Sequence, residues 1–183
     1  MIACQPKPRV TIMSHRKSLL LALAASFLVA GCFYSESPKF PIQTAVPALG
    51  EGGRFQTYQR VEGENFRKDD VIVLRRRPDG AYALIEDKGE TSATSFHPIA
   101  GGFHVGQARE KDKSRFEYVV VRVTGNEVFL FHPQCDEQDK VQMERLGVVF
   151  AGEYSCAIDS VTNPNEFFAS LKLGESKTKL VRE

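Results

Sequence analysis

Tryptophan is absent from this chain of 183 residues, and its aromatic weight falls on thirteen Phe and five Tyr. No apolar stretch is long enough to cross a bilayer as a helix. The most apolar one, Ser18 to Ala30, has thirteen residues, where about 20 are required. Blocks of positive charge are also missing apart from Arg75, Arg76 and Arg77, which excludes nucleic acid as a partner. Only four cysteines occur, and the histidines form no second ligand pair of the kind a zinc site shows. Gly101-Gly102 has no following helix to make a phosphate loop. Thr91, Ser92 and Ser95, close to His97, stand in no nucleophile-elbow context. These absences leave no catalytic residue, no cofactor site and no metal site to name, and a non-enzymatic protein is expected.

The N-terminal quarter is more informative. Arg16 and Lys17 precede the apolar run from Ser18 to Ala30, the order of a charged and then a hydrophobic segment in a secretory signal. Met13 begins a signal of normal length, so translation is expected to start there, which puts Cys4 outside the protein. The run ends in Val29-Ala30-Gly31-Cys32. This ending resembles the lipobox of bacterial lipoproteins, in which small residues enter a peptidase groove and the cysteine thiol accepts a diacylglyceryl group. The resemblance implies that residues 1–31 are removed and that Cys32 is the lipidated first residue of the mature chain. It further implies a cell-envelope protein held by acyl chains. Because Phe33 rather than Asp follows the cysteine, the expected address is the outer membrane, facing the periplasm. More than one acyl chain makes such anchoring effectively permanent. Removal of the signal leaves 20 basic against 23 acidic residues, a net charge of −3.

Residues 33 to 51 contain three prolines and no sustained periodicity. Together with Cys32 and Gly52 they read as a lipidated N-terminus and flexible tether, residues 32–52. As a random coil this segment would hold a domain about 25 Å from the bilayer, with an extended reach on the order of 60 Å.

From residue 53 to 183 the pattern is that of one β-rich domain. Val71 to Leu74 and Tyr82 to Ile85 flank Arg77-Pro78-Asp79-Gly80, in which Pro presets φ and Gly accepts a positive one, so a hairpin is expected. Tyr118 to Val123 and Val128 to Phe131 make a second hairpin across Gly125-Asn126. A glycine-led strand precedes each hairpin, at Gly53-Arg54-Phe55 and Gly102-Phe103-His104, and Gly152-Glu153-Tyr154 suggests a third such opening. The repeat implies about eight antiparallel strands, in a barrel or a sandwich. Helices are expected over Asp136 to Leu146, on the apolar pair Val141 and Leu146, and over Asn163 to Leu173. In the second, Asn163 caps, Pro164 occupies the first turn, Glu166 completes a capping box and Gly174 ends the helix. Thr178 to Arg182 is a last strand. A meander of eight strands, then a helix, then a short strand resembles the element order of lipocalins. That resemblance implies a barrel with a ligand inside, although the Gly-x-Trp signature of that family has no counterpart here.

In an exported chain the remaining cysteines, Cys135 and Cys156, are expected to pair, and closing about 20 residues stabilises by about 3 kcal/mol in the chain-entropy model. A thiol or metal site, with His132, Asp136 and Asp139 nearby, is the alternative. His97 and His104 lie on opposite faces if both are on one strand. Arg75 to Arg77 read as a solvated strand end. The carboxylate pairs Asp69 and Asp70, and Glu86 and Asp87, read the same way.

Three functions follow: first a non-catalytic module that binds a small amphipathic ligand or a protein partner, second a structural or assembly accessory of the envelope without a ligand, and third a hydrolase. A module binding a small amphipathic or apolar ligand predicts an open apolar cavity of at least about 300 Å³. A protein-binding or structural accessory predicts a filled core with an exposed apolar patch or free edge strand. A hydrolase predicts a polar cleft with perturbed titrating groups.

Overall fold

The computed structural model describes residues 33–60, 65–87, 89–110, 113–152 and 154–183, excluding the side chain of residue 110. The segment expected to be a signal, residues 1–31, and Cys32 lie outside the described residues. Among these no helix is long and apolar enough to cross a membrane.

The domain is mostly β, a closed antiparallel barrel of eight strands with three short strands attached. The barrel strands are β2 (Gly52–Gln59), β3 (Arg67–Arg76), β4 (Tyr82–Glu86), β5 (Gly89–Pro98), β6 (Phe103–Glu110), β7 (Phe116–Thr124), β8 (Glu127–Phe131) and β11 (Thr178–Arg182). Each pairs with the next, and β11 closes the ring by pairing with both β8 and β2. Closure leaves no free edge within the ring.

Both expected hairpins form. At the first, the Gly80 amide donates to the Arg77 carbonyl at 3.0 Å, with Gly80 at φ 89°, a conformation Pro78 and Gly80 jointly favour. At the second, Val123 pairs with Val128 around Gly125 and Asn126. The third glycine-led opening differs: Gly152 lies in the link between β9 (Val149–Phe150) and β10 (Cys156–Ala157). The lipocalin order is also corrected. Only seven barrel strands precede the helices, and the eighth is the C-terminal strand β11. The segment expected as an addition to a complete barrel is therefore the strand that completes it.

The helices are α1 (Lys140–Arg145) and α2 (Pro164–Ser170). α1 starts late because Asp139 caps it, accepting from the Gln142 amide at 2.9 Å. It buries Met143 and packs the half-buried Leu146 that follows it against the outer core, while Val141, the other member of the expected apolar pair, is 60% exposed. α2 begins as expected, with Asn163 Oδ1 accepting from the Glu166 amide at 3.3 Å. It ends at Ser170, with an extended Leu171, well before Gly174.

Register separates two cores. Paired residues share a face, so Phe55, Ile72, Leu74, Leu84, Phe96, Val119, Val121, Val128 and Leu180 point into the barrel. Tyr118 and Val120 of β7 and Val105 of β6 point outward, into a second core with Phe33, Phe40, Met143, Ile158, Phe167 and Phe168. β7 is thus buried on both faces, which explains its unbroken Tyr118 to Val121 run.

The N-terminal segment is where expectation and structure part. Residues 33 to 51 are packed, not a free tether. β1 (Phe33–Ser35) runs parallel to β10 and antiparallel to β7, and Phe33, Ser35, Phe40 and Leu49 are all buried. The three prolines restrict φ in a chain that lies across an existing sheet, where regular ladder bonding is dispensable.

Candidate functional site

Two places on the barrel hold side chains in defined polar geometry: the outer wall that seats the N-terminal strap, and one rim of the barrel.

The seat is built by alternate residues of three neighbouring strands. Ser95 and His97 of β5, Val105 and Gln107 of β6, and Tyr118 of β7 face outward together. Gln107 reads the strap backbone: its Oε1 accepts from the amides of Lys39 at 2.8 Å and Phe40 at 3.0 Å. Its Nε2 donates to the Phe40 carbonyl at 3.1 Å. The Tyr118 hydroxyl lies 2.6 Å from Ser35 Oγ and accepts from the Lys39 amide at 3.2 Å. His97 stacks on Phe40, with ring centroids 4.8 Å apart and planes 15° from parallel. Its two nitrogens each meet a hydroxyl at 2.8 Å, Thr44 Oγ1 at Nδ1 and Ser95 Oγ at Nε2. A neutral imidazole offers one N–H and one lone pair, and hydroxyls can serve either. Further on, the Val46 amide donates to the Phe96 carbonyl at 2.8 Å.

Burial controls the titration of this seat. Desolvation lowers the His97 pKa to about 4, against an opposing hydrogen bond at Thr44. Desolvation likewise raises Tyr118 to about 12, opposed by its hydrogen bonds to Ser35 and Lys39. Both groups are therefore uncharged at neutral pH and act as fixed hydrogen-bonding parts.

At the rim, the end of the strap caps the barrel. Leu49 is 2% exposed, its amide donates to the Tyr82 hydroxyl at 3.2 Å, and that hydroxyl donates to the Gly50 carbonyl at 2.6 Å. The Arg182 guanidinium donates to the Leu49 carbonyl and lies 5.3 Å from the Phe55 ring centroid. A half-open hollow of about 260 Å³ remains beside this cap, lined by residues including Leu49, Phe55, Val123, Val128 and Arg182. Deeper in the barrel Leu74, Leu84, Phe96, Val119 and Val121 belong to one buried apolar cluster. A methyl group added at Gly106 would stand 2.8 Å from Val119 Cγ1 and 3.2 Å from the Phe96 ring, so the interior there has no room for one more carbon.

Cys135 and Cys156 form the expected disulfide. It joins the segment after β8 to β10, and β10 pairs with β1. Of the residues named for the alternative thiol or metal site, Asp139 is the α1 cap, and the His132 carbonyl accepts from Gln134 Nε2. Among the described residues no group of three or more His, Cys, Asp or Glu side chains could hold a metal ion. His97 faces outward and His104 inward, and burial lowers the His104 pKa. Arg76 pairs with Glu51, and Arg77 with Asp79 and Glu90, as ion pairs on the surface. Gly101 and Gly102 form the turn into β6, both at positive φ. Thr91, Ser92 and Ser95 are residues of β5.

The strap seat escaped the sequence reading. Its one signal was the recurrence of large apolar residues, Phe33, Phe40 and Leu49, between prolines in a stretch otherwise polar enough to pass for a linker.

What the fold and site define is a closed eight-stranded barrel with one core inside and a second core on one wall. Comparison with known protein families, characterised proteins and solved structures finds no match to this chain.

Proposed function

We propose that this chain is a lipid-anchored lipoprotein of the bacterial envelope, attached through Cys32, whose barrel is a non-catalytic module working through its surface. The charged and apolar run ending in Val29-Ala30-Gly31-Cys32 supports the anchor. The observation that carries the choice among functions is the filled interior. At Gly106 there is no space for a methyl group, and the rim hollow of about 260 Å³ is smaller than the pockets of about 300 to 1,000 Å³ that enclose small ligands. That favours a structural or protein-binding accessory over a carrier of apolar cargo. The buried and neutral His97 and Tyr118 are occupied in holding the strap, a structural use of perturbed groups, and they support the non-enzymatic reading. Protein partners in the envelope and the membrane itself are the proposed surroundings, with the outer membrane as the address.

Native mass spectrometry of the exported, detergent-extracted protein tests this. The expected spectrum shows an acyl-glyceryl mass that survives denaturation and maps to Cys32, with no other adduct. A stoichiometric mass that vanishes on denaturation means a cargo-carrying barrel and contradicts the filled-core account. A mature chain lacking the covalent mass contradicts the lipoprotein reading.

A further inference from the structure

The proposed anchor has no slack. Cys32 is bonded to Phe33, so their Cα atoms are about 3.8 Å apart, and Phe33 is 1% exposed within β1. β1 is fixed on one side by β7 and on the other by β10, whose Cys156 is in the disulfide. Acyl chains on Cys32 would hold this part of the fold against the bilayer, not about 25 Å away on a coil.

The surface next to that point has the chemistry of a membrane interface. β1, β10 and β9 form a three-strand extension in which Tyr34, Ala157 and Val149 are register partners and share one face. Val149, on the last strand of the sheet, is 57% exposed, and Val141, on the helix that leads into that strand, is 60% exposed. With Ile42 they are the exposed large hydrophobic residues among the described ones. A cation accompanies the aromatic ring of this row: the Arg115 guanidinium is 5.0 Å from the Tyr34 centroid. Tyrosine with one apolar and one wet end, and basic side chains with apolar stems, are the residues suited to a headgroup layer.

We infer that the β1–β10–β9 extension is the face on which the barrel rests, its Tyr34–Ala157–Val149 row set against the headgroups of the bilayer that holds the Cys32 lipid. This rests on the lipoprotein reading. It assigns an orientation: β3, four strands round the ring from β7 in either direction, points away from the membrane.

Because the chain has no Trp, one introduced residue gives a fluorescence probe free of background. Val149→Trp places it on the proposed face, and Val73→Trp places it on the outer face of β3. Each lipidated protein is put into vesicles of phosphatidylethanolamine and phosphatidylglycerol with brominated acyl chains, and the intact mass of the same sample is read first. The expected result is loss of most emission for Val149→Trp and none for Val73→Trp. Equal emission from the two, with lipid confirmed on Cys32 and the disulfide intact, overturns the orientation. Absence of lipid on Cys32 overturns the reading beneath it, whatever the emission. Should Val149→Trp fail to fold, Ala157→Trp, on the same row, reports that face.

Discussion

The two halves of this domain are held together in opposite ways. The barrel is a chain of neighbours: from β2 to β8 every strand pairs with the next in sequence, and its core lies between the elements that the hairpins already bring together. The second core is assembled from the ends. It brings Ser35 to Tyr118, 83 residues away, and Lys39 Nζ to the Asp159 carbonyl, 120 residues away. Its cement is aromatic, with Phe33 edge-on to Phe167 and Phe40 against Phe168, over one disulfide. The contrast teaches that a barrel wall can be finished from outside. β5 to β7 are buried on both faces only because a strap and two short helices cover them. Loop closure over such separations carries an entropy cost, and the disulfide lightens only the part that belongs to its own separation of 21 residues.

Breaking each core with the same substitution gives the largest test. Phe40→Ala and Phe55→Ala each remove a buried ring and each is expected to destabilise by about 3 to 5 kcal/mol, read from urea midpoints. A segment 33–51 behaving as a tether would make the Phe40 variant silent. Cys135→Ser with Cys156→Ser should follow, lowering stability by about 3 kcal/mol in the chain-entropy model. Proteolysis of this variant should cut residues 132–160 before the barrel.

Acid should act on the outer core through His97. The folded pKa of His97, about 4, lies below its ordinary 6.5, so below pH 6.5 the unfolded chain takes up the proton more readily. Its contribution is present above pH 6.5 and is lost as pH falls toward about 4. A denaturation midpoint that declines across that window, with a shallower slope in His97→Gln, is the expected outcome. The smallest effect belongs to Asn163→Ala. It removes the α2 cap at the edge of the outer core and should cost about 1 kcal/mol, seen as a small shift in thermal midpoint.

Sequence made the barrel partly legible and the outer core hardly at all, for a physical reason. Arg77-Pro78-Asp79-Gly80 and Gly125-Asn126 encode their turns locally, and Asn163-Pro164 with Glu166 encodes a helix start, so these could be read in place. β5 is a different case. Its Gly89–Pro98 run, GETSATSFHP, has no clean alternation because both faces are covered, with Thr94 and Phe96 inside and Ser95 and His97 outside. β11 could be read as a strand, but not as the one that closes the ring, since its partners β2 and β8 lie far away in sequence. The strap was hidden by composition. Pro38, Pro41 and Pro47 break every periodicity, and the residues that receive it, Gln107 and Tyr118, are identified only once β6 and β7 are side by side. The pairing of Cys135 with Cys156 was legible because few cysteines remain once the amino-terminal ones are set aside.

Hydrogen exchange across residues 33 to 48 tests the central claim, that the segment after Cys32 belongs to the fold. The amides of Lys39 and Phe40, held by Gln107, and of Val46, held by Phe96, should be protected nearly as well as those of β7, and should lose protection when the disulfide is reduced. Exchange of these amides at the rate of an unstructured chain, with the barrel still protected, would contradict the account and restore a flexible tether ahead of the barrel.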